Sequence, residues 1–368
     1  MTPHLNPDSG GAERVAYELV NELSKSNSIT VVSELISPTR FPENVRFVPL
    51  KMLRLPRGVF PLYFLLCATS AVLRLCIAED FDVVHVIGVH FGGYLGVFAR
   101  RRSKLFIQTL AGMEILRSNQ WLFALTYIVS FRFPDCVIIP NSFQAGQVRG
   151  VKSTNLRYIP HGVKVPSIGL CGPQTDPPIL CTVSRLSHSK RVDLILKAAS
   201  ILKERRVSFR LKIVGDGELA GQLKKLSKAL MLENEIEFAG SLRHDAAMKA
   251  VCESSCYISA SEWEGFGLSI AEAVSLAKPV VSTYWTGIEY LVEDGKNGLV
   301  VCTDDPRSIA LAVESVLKDD ELMISYGRYS ATLSSRRFLD WVQVAEAYDL
   351  LYRREVRRKA IRNLDTWL

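Results

Sequence analysis

The C-terminal half of the chain alternates between short apolar runs and amphipathic ones, and that alternation constrains the fold more than any other feature. PILCTVSRL (178–186) is apolar and β-rich, and a helical pattern follows from Val192 to Lys203. FRLKIVGDG (209–217) ends in a Gly-Asp-Gly turn and leads into the helix-like ELAGQLKKLSKAL. IEFAG (236–240), CYISAS (256–261), KPVVST (278–283) and GLVV (298–301) read as further strands, and a helical run spans Pro306 to Leu317. Short apolar strands separated by helices predict a parallel, doubly wound α/β sheet.

The N-terminal half repeats the pattern less tidily. A helix over 11–25 precedes the strand SITVVSE (28–34), and FDVVHVI (81–87), SKLFIQTL (103–110) and PDCVIIPNS (134–142) supply more strands. In such a sheet a strand belongs immediately before the glycines at 10–11, and MTPHLNPDSGG contains none. Either the start is truncated or misassigned, the preferred reading, or the sheet lacks a central strand. At 368 residues two domains are expected. LRYIPHGVKV (156–165) reads as the hinge and the Pro/Gly-rich SIGLCGPQTDPP (167–178) as a linker.

Charge separates the halves. Residues 1–165 hold 18 Lys/Arg against 11 Asp/Glu, the whole net excess of +7, and the remainder balances. A basic first half implies an anionic partner, either an acidic substrate or an anionic membrane surface. The tail RREVRRKAIR (353–362) is a solvated helix face or a contact for such a surface. The eight cysteines lie scattered in apolar stretches without metal-site spacing, so buried free thiols in a reducing, cytoplasmic compartment are expected. The opening has no signal-peptide core. GVFPLYFLLCATSAVL (58–73) has 16 residues and contains Pro61. It falls short of the roughly 20 apolar residues a span needs, and reads as a buried helix or, alternatively, a membrane-surface one.

In open α/β sheets ligands sit beyond the carboxyl ends of strands, where loops meet helix N-termini. Gly10-Gly11, Arg185 with Lys190, Gly215-Asp216-Gly217 and Glu264-Gly265-Phe266-Gly267 all fall at such points. Glycines at a helix N-terminus offer N–H groups and a positive dipole end to an anion. Arg185 and Lys190 add two cations suited to a diphosphate. Carboxylates such as Glu264 and Glu272 accept two hydroxyl protons at once, which suits the vicinal diols of a sugar or ribose. Each signal alone has a bland reading: a turn, a surface charge, a solvated helix glutamate, or a helix-start carboxylate. Their order and placement together describe a receptor for a sugar joined to a diphosphate.

SEWEGFGLSIAEAVSLAKPVVST (261–283) resembles the signature of retaining, family-4-type glycosyltransferases of the GT-B fold. GGAERVAYELVNEL, IPHGV, VSRLSHSKRVDLILKA, LKIVGDGEL and IEFAGSL are similar to family segments in the expected order, and GRYSATLSSRRFLDWVQVAEAYDLLYRR to its final helices. The resemblance implies two Rossmann-like domains facing across a cleft. Residues 1–165 would bind acceptor, 166–335 would bind a nucleotide-sugar, and 336–368 would cross back to the first domain and end in the basic tail. It further implies that Arg185 and Lys190 hold the donor diphosphate, with Gly10 and Gly11 closing over it. Glu264 would bind sugar hydroxyls and Glu272 the ribose. Phe266, Gly267 and Leu268 would present backbone N–H groups, while Gly215, Ser241 and Leu242 would line the base pocket.

Some positions depart from the family. LAGME puts Ala111 where a histidine commonly contacts the donor sugar, and Glu114 is a nearby polar candidate or a surface glutamate. His85 and His90 lie near the end of the preceding strand, within reach of the cleft the resemblance implies, and His90 joins Arg54, Arg57 and Glu114 as an acceptor-side candidate. A buried structural role is preferred for His85. His161 stands where asparagine is common.

The implied reaction moves a sugar from a nucleotide-diphosphate donor to a hydroxyl acceptor with retention, the charge on the leaving diphosphate being met by Arg185, Lys190 and a helix N-terminus. No Asp-x-Asp motif sits at a strand end, so no metal or other cofactor is expected. Retention ordinarily implies a covalent nucleophile; the family resemblance implies instead front-face attack assisted by the leaving phosphate, and no nucleophile is nominated. Arg54, Arg57, Arg100, Arg101, Arg102 and Lys104 favour an anionic glycan or a lipid-linked acceptor, with peripheral association at the inner face of a membrane as the corresponding location. A nucleic-acid partner is disfavoured, since no such module appears. A non-catalytic nucleotide-sugar-binding subunit and a GT-B epimerase or phosphorylase are the rival readings.

Overall fold

A computed structural model describes residues 10–33, 41–50, 60–88, 103–110, 133–147, 155–164 and 176–365. The chain divides into two compact units, residues 1–162 with 341–368, and residues 163–340.

In the second unit a six-stranded parallel sheet has the order β12-β11-β10-β7-β8-β9. Its strands are β7 (Ile179–Val183), β8 (Arg210–Val214), β9 (Ile236–Gly240), β10 (Cys256–Ser259), β11 (Val280–Thr283) and β12 (Gly298–Val301). The crossovers contain α3 (Val192–Glu204), α4 (Ala220–Ala229), α5 (His244–Glu253) and α6 (Leu268–Ser275). Helices α7 (Pro306–Leu317) and α8 (Asp320–Arg337) follow.

The strand residues alternate between two cores, as the twofold strand repeat requires. Leu180, Ile213, Ile258 and Val281 join Ile195 of α3 and Val313 of α7 in one core. Cys181, Val214, Tyr257 and Val280 join Val251 of α5 and Ile270 of α6 in the other. Both faces are therefore covered, which explains why these strands read as unbroken apolar runs. Each buried aliphatic side chain contributes roughly 1.5–3 kcal/mol relative to exposure.

In the first unit the described strands form two parallel sheets. One pairs β1 (Ile29–Ser33) with β2 (Val45–Pro49), and the other has the order β3 (Phe81–Ile87), β4 (Ser103–Thr109), β5 (Cys136–Ile139), β6 (Leu156–Tyr158). Residues 1–9, where a first strand was sought, lie outside the described residues. The apolar stretch forms α2 (Phe60–Ala78), and Ala68, Val72 and Leu75 pack beside Val32 and Leu50. Among the described residues no helix is long and apolar enough to cross a membrane. Helix α1 (Gly11–Leu23) packs against α9 (Trp341–Asp365).

The basic tail lies on α9, and part of its charge is used internally: Lys359 pairs with Asp135 at 2.7 Å and Arg353 with Asp349 at 2.7 Å. Two cysteines correct the expectation of buried free thiols. Cys252 is disulfide-bonded. Cys302, just past the edge strand β12, is a free thiol but exposed.

Candidate active site

All strands of the second unit's sheet are parallel, so their carboxyl ends share one edge. Four neighbouring strands, β10, β7, β8 and β9, deliver the second unit's sequence-predicted residues to that edge. Glu264 follows β10, Arg185 and Lys190 follow β7, Gly215 follows β8, and Ser241 and Leu242 follow β9.

Lys190 ends a short 3-10 turn (His188–Lys190), and its Nζ lies 2.6 Å from Oε1 of Glu264. The same oxygen accepts a 2.8 Å hydrogen bond from Ser261 Oγ. Ser261 is itself held, its carbonyl accepting from Thr283 Oγ1 at 2.9 Å. The backbone N–H of Glu262 donates to the Ser189 carbonyl at 2.9 Å, which ties the loop after β10 to the turn carrying Lys190. The side chains of Lys190 and Glu264 are 22% and 13% exposed, so the pair is sheltered but reachable. Arg185 is exposed.

Gly267 caps the N-terminus of α6 at φ 80°, a left-handed conformation. A Cβ there would also lie 2.9 Å from Leu291 Cδ1 and 3.1 Å from Trp285 Cζ2. The first N–H groups of α6, beginning at Leu268, extend beyond the helix's own hydrogen-bond ladder at its positive end. Phe266 contributes backbone to this turn while its ring is buried in the core, 6.1 Å from the ring of Tyr290. Leu268 packs against the same core.

Glu272 lies four residues into α6, ~6 Å along the axis from Leu268. It is 6% exposed, so it is not a solvated helix glutamate. Its Oε1 is 2.8 Å from Nε2 of His244, the first residue of α5.

Gly215 has φ 130°, and a Cβ there would stand 1.9 Å from the carbonyl oxygen of Ser184. Its N–H donates to Gly240 at 2.8 Å, which locks the ends of β8 and β9 together. Ser241 is exposed and Leu242 is partly buried against the core.

In the first unit, Gly10 caps α1 in an extended conformation with φ 172°. A Cβ at Gly11 would meet nothing within 4 Å. Packing does not account for a glycine at position 11. His85 is enclosed, with Nε2 2.7 Å from Thr109 Oγ1 and Nδ1 2.7 Å from Tyr352 Oη, and burial pushes its pKa down to about 3. It is a structural histidine. Burial likewise lowers His161 to about 4. Arg54, Arg57, His90 and Glu114, together with Arg100–Arg102 and Ala111, lie outside the described residues.

Two partners escaped the sequence reading. Ser261 stands three residues before Glu264, a local spacing that could have been noticed. His244 is 28 residues from Glu272 on a different helix, and no local pattern links them.

The Glycosyl transferases group 1 model matches residues 172–332, and the Glycosyltransferase Family 4 model matches residues 9–165. The chain is 26% identical over 333 residues to the lipopolysaccharide core biosynthesis glycosyltransferase LpsE of Rhizobium meliloti, covering 87% of this chain and 88% of that one. It is 29% identical over 163 residues to alpha-D-kanosaminyltransferase of Streptomyces kanamyceticus, covering 44% of this chain and 42% of the relative. It is also 31% identical over 174 residues to the putative colanic acid biosynthesis glycosyltransferase WcaL of Escherichia coli, covering 45% and 41%. The chain thus spans about two-fifths of the length of these last two relatives.

Among solved structures, HepE of Anabaena in complex with UDP superposes with TM-score 0.73 at 18% identity, covering 94% of this chain and 96% of that one. Sucrose-phosphate synthase from Thermosynechococcus elongatus superposes with TM-score 0.78 at 18% identity, covering 94% and 93%. The fold is therefore GT-B, and with both family models matched in succession the chain belongs to the family-4-type glycosyltransferases.

Proposed function

We propose that this chain transfers a sugar from a nucleotide-diphosphate donor to a hydroxyl acceptor, with retention at the anomeric carbon. The observation that carries the proposal is the convergence of Lys190, Glu264 and the α6 N-terminus at one sheet edge, with the buried Glu272 farther along the same helix. In this reading Arg185, Lys190 and the α6 N–H groups bind the diphosphate and stabilise the charge that grows as the bond from the anomeric carbon to phosphate oxygen breaks. Glu264, with Lys190 and Ser261 both on Oε1, presents its carboxylate to sugar hydroxyls. Glu272 takes the ribose diol, and Gly215, Ser241 and Leu242 border the base.

The acceptor oxygen forms the new bond to the anomeric carbon, and its proton passes to the departing phosphate oxygen. No protein nucleophile is required, and Gly10 and Gly11 are assigned to the diphosphate. The basic excess of residues 1–165 and the likeness to LpsE support an anionic or lipid-linked glycan acceptor.

The test is release of nucleoside diphosphate from UDP-, GDP-, ADP- and TDP-sugars, with the product's anomeric configuration read by NMR. Turnover with retention, lowered by about 10²–10³ in Glu264→Gln, supports the proposal. Tight donor binding without hydrolysis or transfer, across acceptors that include anionic and lipid-linked glycans, would favour a non-catalytic binding subunit.

A further inference from the structure

We propose that His244 is a positioning residue that fixes the Glu272 carboxylate and thereby sets the preference for a ribonucleotide donor. The inference rests on the assignment of Glu272 to ribose. A glutamate carboxylate turns freely about its terminal bond unless something holds it, and a vicinal diol requires the carboxylate plane to be presented in one orientation. The 2.8 Å contact from His244 Nε2 to Oε1 supplies that hold.

An ionised carboxylate is acceptor-only, so Nε2 carries the proton and donates it. One of the roughly four acceptor positions of Glu272 is then used, and the others remain for ribose hydroxyls. Burial strengthens the restraint: Glu272 is 6% exposed, and the His244 side chain is 14% exposed.

The location supports the same role. His244 opens α5 immediately after Arg243, in the crossover that leaves β9 past Ser241 and Leu242. One short segment therefore passes from the proposed base pocket to the back of the proposed ribose carboxylate. Nδ1 of His244 is buried without a hydrogen-bond partner among the described residues, and its nearest carboxylate oxygen, Asp245 Oδ1, is 3.9 Å away. The ring's one hydrogen bond thus goes to Glu272, which is the arrangement expected of a residue kept for that contact and not for general packing.

The experiment measures dissociation constants of UDP, GDP, ADP and CDP, each against its 2′,3′-dideoxy counterpart, for wild type, His244→Phe and His244→Gln. Unliganded melting midpoints check folding. The expected result is that wild type prefers one ribonucleotide over its dideoxy form. His244→Phe should weaken that ribonucleotide by about tenfold, the order expected for a hydrogen bond to a charged group, and leave the dideoxy form unchanged. His244→Gln, which keeps a donor, should restore most of the loss.

Equal weakening of both nucleotides would show a merely structural histidine and overturn the inference, as would no weakening of either. If His244→Phe does not fold, His244→Gln decides: near-wild-type discrimination supports the inference, and lost discrimination overturns it. Failure of wild type to distinguish ribo from dideoxy forms would instead remove Glu272 from the ribose, and with it the basis of the inference. Binding of none of the four would overturn the inference, since no ribonucleotide would then be preferred, while the donor-site reading is tested separately with TDP in the same assay.

Discussion

Lys190 and Glu264 lie 74 positions apart in sequence and 2.6 Å apart in space. They come from the loops after two hydrogen-bonded neighbours, β7 and β10, so the parallel sheet itself brings cation and carboxylate together. The pair is sheltered on the protein side by Ser261 and still reachable from solvent. A group that must hold its geometry and also meet a substrate requires both properties.

Glu264→Gln should separate catalysis from stability. The amide keeps an oxygen for Ser261 and nearly the same volume, while Lys190 remains accessible enough to be solvated. Turnover should fall by about 10²–10³, the range for loss of one oriented electrostatic contact. The melting midpoint should move by only a few degrees, since a partly exposed ion pair contributes ~1 kcal/mol or less. Steady-state kinetics beside a thermal melt checks both.

Two glycines should respond in opposite ways. Gly215→Ala combines φ 130° with a Cβ 1.9 Å from a backbone oxygen, and should cost about 3 kcal/mol or prevent folding. Gly11→Ala meets open space at the start of a helix, and should leave stability unchanged or raise it by up to ~1 kcal/mol. If Gly11 serves the diphosphate, nucleotide affinity drops in that variant although the protein is no less stable. Denaturant melts and nucleotide titrations separate the two effects.

His85 should make the fold acid-sensitive. Its folded pKa of about 3 is below the ordinary value of 6.5, so the unfolded chain binds the proton first. The stability it contributes is complete above pH 6.5 and is lost as the pH falls from there toward 3. Its slope is at most ~1.4 kcal/mol per pH unit. His161, lowered to about 4, adds to the upper part of the same window. A His85→Gln variant should lose less stability than wild type between pH 7 and pH 4, by chemical denaturation at each pH.

The legibility of this chain followed the physics of each segment. β9, β12 and α7 occupy the spans expected from the sequence, because a sheet covered on both faces makes its strands continuous apolar runs between polar turns. β2, the VRFVP of Val45–Pro49, escaped notice: it is a short edge strand with Pro49 at its end and an exposed Arg46, and it carries little of the apolar signal. Glu264, Gly267 and Glu272 were visible together because a strand end, a turn and a helix follow one another within thirteen residues, 261–273. The Glu272–His244 contact was not visible, because tertiary packing of α5 against α6 creates it and neither residue's neighbours in sequence encode the other. Gly11 stood out in the sequence as a glycine before a helix, and neither a positive φ nor close packing requires a glycine there.

The edge formed by β10, β7, β8 and β9 is proposed to receive a nucleotide-diphosphate-sugar, and Arg185 tests that most directly. Arg185 is exposed, so the contact it makes is a solvent-screened one worth ~1 kcal/mol or less, and its removal should move the unliganded melting midpoint by only a few degrees. The measurement is the melting midpoint of wild type and Arg185→Ala across UDP-, GDP-, ADP- and TDP-sugars. A ligand specific to the folded state adds ~2.7 kcal/mol at a hundred times its dissociation constant. A clear rise for one donor in wild type, lost in Arg185→Ala, is the predicted result. No rise with any donor from a well-folded protein, or a rise that survives Arg185→Ala undiminished, would contradict it.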